Sequence, residues 1–279
     1  MGLRLNTVRP IQGWLWIRDA FALWRTRPVG FMGLFTFFLL TVLLLAMLVP
    51  VVGGVLGLVL LPMLTLGFLI ACQAALAGQP VHPLQFFEGL RHPDPARRRA
   101  QWLLCASFAA LTTGLMLLAH AVDDGLFEAW QKALATSQGS RSPELDKIMA
   151  DPRLAQGILV RFGGAALLAL PYWHAAALVH WGGQGAAQAL FSSTLALWQA
   201  RGAFIVYLLG WVGVAAALGA GLMLLATVLQ MPGLLGALVV PLGLVVSTVF
   251  YVSLWFCWRD SFRDDADPAP RSAAADHPA

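Results

Sequence analysis

Charge is what this 279-residue sequence has least of. Asp, Glu, Lys and Arg make up 11% of it, against about a quarter in ordinary soluble domains. The 60 residues from Pro28 to Phe87 contain none, and further charge-free runs begin at Ala100, Phe162 and Gly202. With 59% hydrophobic residues and a mean hydropathy of +0.73, a soluble core is excluded as the main reading. An apolar run of about 20 residues is what a helix needs to cross a hydrocarbon layer about 30 Å thick.

Other absences narrow the function. The three cysteines, Cys72, Cys105 and Cys257, are odd in number and each lies inside an apolar run. That excludes a disulfide framework and leaves them as small buried residues. No Asp or Glu falls within an apolar run, which weighs against an ion- or proton-coupled carrier and removes the ready acid and base candidates. HExxH, GxSxG and Walker A patterns are absent, so zinc protease, serine hydrolase and P-loop readings have no support. No cofactor or metal is expected, and an enzyme is the least favoured class. Nothing near Met1 has the form of a cleaved signal, so the N-terminus is expected to be retained. The net charge of +4 sits in short flanks beside apolar runs rather than along one polar face, which points to membrane phosphate and not nucleic acid.

What is present divides into six expected spans, at about 29–48, 51–76, 100–122, 158–181, 203–229 and 233–258. Pro50, Gly53 and Gly54 break the first pair, and Gln230 to Gly233 break the last. The runs are apolar all round rather than alternating, which excludes a β-barrel. Thirteen Lys and Arg lie on the side that carries both chain ends, against five on the other. The positive-inside tendency therefore predicts cytoplasmic termini. Eight of the eleven tryptophans, Trp14, Trp16, Trp24, Trp102, Trp181, Trp198, Trp255 and Trp258, fall at that same level, where interfacial aromatics belong.

Between Ile11 and Arg27 the spacing of Trp14, Ile17, Phe21 and Trp24, with Arg18 and Arg25 beside them, predicts an amphipathic helix in the membrane interface. Gly185 to Arg201 repeats the arrangement with less charge, and Pro83 to Arg91 is a shorter version. The candidate lipid-contacting residues are Trp14, Arg18, Trp24, Arg25, Arg27, Trp198 and Arg201. Anionic lipid is the expected partner, with a membrane-protein partner or a homodimer as further options. An internal repeat is also visible. Ala22-Leu23-Trp24-Arg25-Thr26-Arg27 is echoed by Ala196-Leu197-Trp198-Gln199-Ala200-Arg201, and G-x-L-G-x-x-x-x-P recurs from Gly54 to Pro62 and from Gly233 to Pro241. Four spans separate the two starts, which makes the copies parallel. Gly53 with Gly57, and Gly213, Ala217 and Gly221, are spaced for close helix packing.

The candidate polar residues within the membrane are His174 in mid-span four, His180 at its cytoplasmic end and His120 at the outer end of span three. His120 and His180 lie a membrane apart, and His174 and His180 do not share a helix face, so no single metal centre joins them. A polar contact is the ordinary role for His174. The outer loop, 123–157, predicts a helix around Leu126 to Leu134 capped by Asp124, and a second between Pro143 and Pro152. The Asp-, Pro- and Ala-rich stretch 259–279 reads as a disordered tail.

The stretch Pro171-Tyr172-Trp173-His174-Ala175-Ala176-Ala177-Leu178-Val179, the segment Ala189-Leu190-Phe191-Ser192-Ser193 and the ending Trp258-Arg259-Asp260-Ser261-Phe262 resemble a family of uncharacterised six-span bacterial inner-membrane proteins. More distantly they are similar to the membrane domain fused to some glycerophosphodiester phosphodiesterases. The resemblance implies a six-span inner-membrane fold and no particular activity. The chain departs from that family at Ala176, where proline is frequent. The resulting expectation is an all-α, polytopic membrane helix bundle of six transmembrane helices with cytoplasmic-side amphipathic helices. Its role is non-enzymatic, in contact with lipid or a partner. The alternative is a permease-like facilitator with a pathway near Pro62, Pro241 and His174, and a membrane enzyme using His120, Asp123, Asp124 and His174 comes third.

Overall fold

The computed structural model describes residues 3–49, 52–137, 143–230 and 233–264. Six helical stretches in it are long and apolar enough to cross a membrane: Pro28–Leu48, Gly53–Leu76, Pro95–Asp123, Pro152–His180, Arg201–Val228 and Gly236–Ser261. The expected all-α fold with six spans is what the chain adopts. The spans expected to break at Pro50 and at Met231 and Pro232 do end beside those positions, but the three residues themselves lie outside the described residues. The chain groups into two compact units.

The first unit comprises 1–28, 72–79 and 196–279. It contains α1 (Gln12–Thr26), α11 (Arg201–Val228) and α12 (Gly233–Ser261). The amphipathic helix expected before span one is present, but its packed face differs from the expected one. Gly13, Trp16, Ile17, Ala20 and Leu23 are buried, whereas Trp14 is 47% exposed and shares the outer stripe with Ile11, Arg18 and Arg25. The reason is close approach. A Cβ on Gly13 would land on the carbonyl of Ala203, and one on Gly210 would meet Ile17. Trp16 packs edge-on against Phe204 and Tyr207 at ring separations of 5.5 and 5.8 Å, and Phe21 meets Trp211. Contacts advance together along both helices, from Pro10 with Gly202 to Phe21 with Trp211. Helix α1 therefore runs beside the first turns of α11 in the same direction. It is fastened to protein on one face instead of lying free on lipid.

Two segments far apart in sequence pair in this unit. Strand β1 (Leu3–Leu5) pairs antiparallel with β2 (Phe262–Asp264), Arg4 opposite Arg263. The segment expected to be a tail from 259 is thus helical to Ser261 and paired to Asp264. Its remainder, 265–279, lies outside the described residues.

The second unit comprises 29–71 and 80–195. It holds α2 (Pro28–Leu48) from Val29, α3 (Val52–Leu76) through Ala71, a 3-10 helix over Pro83–Arg91, and α4 (Pro95–Asp123). Three short helices of the loop after α4 follow, α5 (Leu126–Ser137), α6 (Pro143–Ala150) and α7 (Pro152–Ile158). After them come a π-helical turn over Leu159–Gly163, α8 (Gly164–Tyr172), α9 (Ala175–His180) and the start of α10 (Ala186–Gln199). The Gly53 and Gly57 pair packs as its spacing implies. A Cβ on Gly53 would strike the backbone of Leu45, and one on Gly57 would crowd Val42 at 3.0 Å, so both glycines let α3 approach α2. Phe31 and Phe68 stack between these helices, and Phe37 and Phe38 meet Phe86 of the 3-10 helix. Gly213 and Gly221 of α11 meet no atom within 4 Å.

The order of elements repeats as expected: an amphipathic helix, a span, then a span holding Pro62 in α3 or Pro241 in α12. The flanking helices pack differently. Helix α1 docks on α11 and α12, whereas Ser193 of α10 is buried against the fourth span.

Replacing Gly13 by valine should push α1 off α11, since neither the Ala203 carbonyl nor α1's own backbone has room to move. Limited proteolysis of detergent-solubilised protein should then cut before residue 28, and Gly33→Val, where nothing lies within 4 Å, should leave the pattern unchanged.

Candidate functional site

Polar side chains buried inside a membrane protein need protein partners, because hydrocarbon supplies none. Three such constellations organise the described residues.

The first is the Asp260 clasp. Asp260 lies near the end of α12 with its side chain 16% exposed. Its Oδ2 accepts hydrogen bonds from Trp16 Nε1 at 2.9 Å and Gln12 Nε2 at 3.1 Å. Arg259 holds Oδ1, and Asn6 donates to the Asp260 carbonyl. Asn6 also donates its backbone N–H to Ser261, continuing the β1–β2 pairing. One carboxylate therefore fixes both the entry and the packed face of α1. Sequence reasoning noted Asp260 only within a family-like ending. The signal available was an acid two residues beyond the last tryptophan, at the level of two donors, Gln12 and Trp16.

The second is the broken fourth span. Pro171 lacks a donor, and the helix gives way at Trp173 and His174 before restarting at Ala175. Ser193 Oγ repairs the gap, accepting the His174 backbone N–H at 3.0 Å and donating to the Leu170 carbonyl at 3.3 Å. Tyr172 donates to Ser107 of α4 at 2.8 Å. His174 is 1% exposed and takes the capping position of α9. The break thus lies two residues before Ala176. His180 closes α9. Its carbonyl accepts from Arg97 at 2.7 Å, and its ring stands edge-on to His92 and Trp181. Gly183, at φ +64, lets Arg97 lie flat over it, since a Cβ there would sit 3.1 Å from the guanidinium.

The third lies where α4 ends and the fourth span begins. Asp123 is fully buried, and Arg161 is 6% exposed. Arg161 donates to Asp123 Oδ2 at 2.9 Å and to Glu128 Oε1 at 3.3 Å, and its guanidinium rests 4.1 Å from the Phe127 ring. The other Asp123 oxygen accepts the Gly125 N–H at 3.1 Å. His120 Nδ1 stands 3.3 Å from Glu128 Oε2. Gly157 is required here, because a Cβ would land on the Asp123 carboxylate. Asp124 does not open α5 as expected. It ends α4 in the left-handed conformation at φ 51, a C-terminal cap geometry, and pairs with Arg153 at 3.6 Å. Hydrogen bonds from Arg153 hold the Asp151 carboxyl below its ordinary value.

His120, Asp123 and Glu128 bring their ligand atoms within 4.8 Å of one another, a donor set that suits a divalent metal. Arg161 already supplies a positive charge to both carboxylates. His174 is not part of this group: it lies thirteen residues beyond Arg161, about 20 Å along the span. The clustering that a membrane enzyme would need is confined to His120 and Asp123. In sequence, Arg161 is one of the five cations on the side opposite the chain ends. The available signal was its opposite charge to Asp123 at the same membrane level on the next span.

The expected lipid-contacting residues fall in different settings. Arg18 pairs with Asp19 at 2.8 Å, and Arg27 donates to the Gly78 carbonyl at 2.7 Å. Arg25 is exposed and makes no ion pair among the described residues, and Trp24 is only partly exposed. Trp198 is 68% exposed, and Arg201 lies over its ring at 5.4 Å.

Comparison with known proteins agrees with this architecture at the level of class. The chain is 28% identical over 271 residues to a Burkholderia thailandensis protein described as a probable inner membrane protein, covering 96% of this chain and 97% of that one. It matches no described protein family and no solved structure. The six membrane-capable helices and this relative together support a multi-pass inner-membrane protein, whose specific role neither of them names.

Removing Arg161 strands a buried carboxylate, which costs about 3–5 kcal/mol. Thermal unfolding in detergent should show Arg161→Met losing that much and Asp123→Asn with Arg161→Gln losing clearly less than the sum of the single changes. Equal, additive losses would show that the pair is not coupled.

Proposed function

We propose that this chain is a non-enzymatic inner-membrane protein that engages anionic lipid through the arginine- and tryptophan-bearing ends of its helices. The observation that carries this reading is α1. Its inner face is committed to α11 and α12, and its outer stripe presents Ile11, Trp14, Arg18 and Arg25. Such a stripe combines interfacial anchoring with attraction to lipid phosphate. Both termini face the cytoplasm in this reading, as the excess of arginine at their level implies. The strand pairing of Leu3–Leu5 with Phe262–Asp264 supports placing both ends on one side.

A facilitator is the second reading, favoured by the interruption of the fourth span beside His174. Discontinuous helices line substrate paths in many carriers. Here the freed backbone groups are already met by Ser193, which is why lipid engagement ranks first.

Nanodiscs of defined composition test the proposal. Recovery should rise with the phosphatidylglycerol fraction, and Arg18→Gln with Arg25→Gln should weaken that preference about fivefold, because Arg18 shares its charge with Asp19 while Arg25 does not. Indifference of the unaltered protein to anionic headgroups would overturn it. Reporter fusions at residue 1 and residue 279 should both read cytoplasmic.

A further inference from the structure

The start of α4 carries a second and more selective arrangement. Asp94 caps the helix by accepting the Ala96 N–H at 2.9 Å, with Pro95 in the first turn. Three arginines follow in sequence, Arg97, Arg98 and Arg99. Cations here oppose the helix dipole, whose N-terminal end is itself positive. Arg97 is offset: it faces Asp94 at 3.4 Å and donates to the His180 carbonyl. Arg98 and Arg99 are exposed, and neither has an ion pair among the described residues. Two uncompensated guanidinium groups therefore stand at a positive helix end.

What lies one turn further in indicates the occupant. At 100° per residue, Trp102 projects between the directions of Arg98 and Arg99, and it is 49% exposed. Leu103 and Leu117, 52% and 66% exposed, continue that surface, with exposed Ala106 and Ala110 on the same side. Guanidinium, indole and aliphatic side chains thus follow one another along a single helix. That is the order of phosphate, glycerol backbone and acyl chain in a phospholipid. A phospholipid in the bilayer that surrounds this span would meet the arginines with its headgroup and the apolar surface with its acyl chains.

We infer that Arg98, Arg99 and Trp102 form a site for a phospholipid bearing two phosphates on one headgroup. The two arginines project about 100° apart, so one phosphate can meet one guanidinium while the second meets the other. Arg97, tied down by Asp94 and His180, positions the pair by holding the first turn against α9. The inference rests on the lipid-engaging reading above and assigns a headgroup class and a place to it. It uses neither Arg18 nor Arg25.

The test is quantitative lipid analysis of protein extracted with a membrane-excising polymer, alongside nanodiscs containing cardiolipin, phosphatidylglycerol or phosphatidylcholine. Cardiolipin should be enriched around the unaltered protein over the surrounding membrane. Arg98→Gln with Arg99→Gln should weaken cardiolipin binding about 25-fold, which is about 2 kcal/mol at 1.4 kcal/mol per tenfold. Arg98→Lys with Arg99→Lys keeps the charges and should retain most of it, which separates lipid binding from any effect on insertion. Arg18→Gln with Arg25→Gln should lower anionic preference in general but leave cardiolipin favoured over phosphatidylglycerol. Equal binding of cardiolipin and phosphatidylglycerol per phosphate, or full enrichment in the glutamine variant, would overturn this site while leaving the broader proposal standing. Loss of all anionic preference in the unaltered protein would remove both.

Discussion

Inside hydrocarbon, a polar group has no solvent to fall back on, and burying a charged or backbone group is costly unless a partner within the chain meets it. This constraint accounts for the three constellations at once. Ser193 exists at its position because the Trp173–His174 interruption frees a donor and a carbonyl. Asp260 is tolerated near the end of a span because Trp16, Gln12 and Arg259 surround it. Asp123 can be fully buried because Arg161 and the Gly125 amide meet its two oxygens. In each case a residue distant in sequence is drawn in to satisfy the group, so these contacts also fix how helices sit against one another.

Glycine serves the same end by a different route. Gly13 lets α1 touch the α11 backbone, which brings Trp16 within reach of Asp260. Gly157 leaves room for the Asp123 carboxylate, and Gly183 for the Arg97 side chain. Without hydrophobic driving force between helices in lipid, such close approach is a main source of their association. The absent Cβ atoms and the satisfied carboxylates are therefore parts of one arrangement.

Much of the architecture was legible from composition and periodicity. Charge-free length located all six spans, because the requirement for about 20 apolar residues is one-dimensional and does not depend on contacts. The Gly53 and Gly57 spacing correctly indicated a packed face. Tertiary choices were not legible. The α1 periodicity fits two overlapping apolar faces, and the selection of Trp16 over Trp14 as the buried tryptophan came from Asp260, which lies 244 residues away. Asp124 has good capping chemistry, but the turn at Asp124 and Gly125 needs left-handed backbone, with φ 51 and 77, so it ends one helix instead of beginning the next. Arg161 lay beside the loop in sequence, and only the π-helical turn at Leu159–Gly163 together with Gly157 shows why it is buried.

The pairing of the first strand with the last has a consequence for biogenesis. During synthesis β1 and α1 appear long before the surfaces they rest on, α11, the end of α12 and β2. The amino-terminal helix must therefore wait, undocked, through the insertion of every intervening span. It can reach its packed position only after α12 and β2 have been made, so synthesis of β2 is the event that closes this unit.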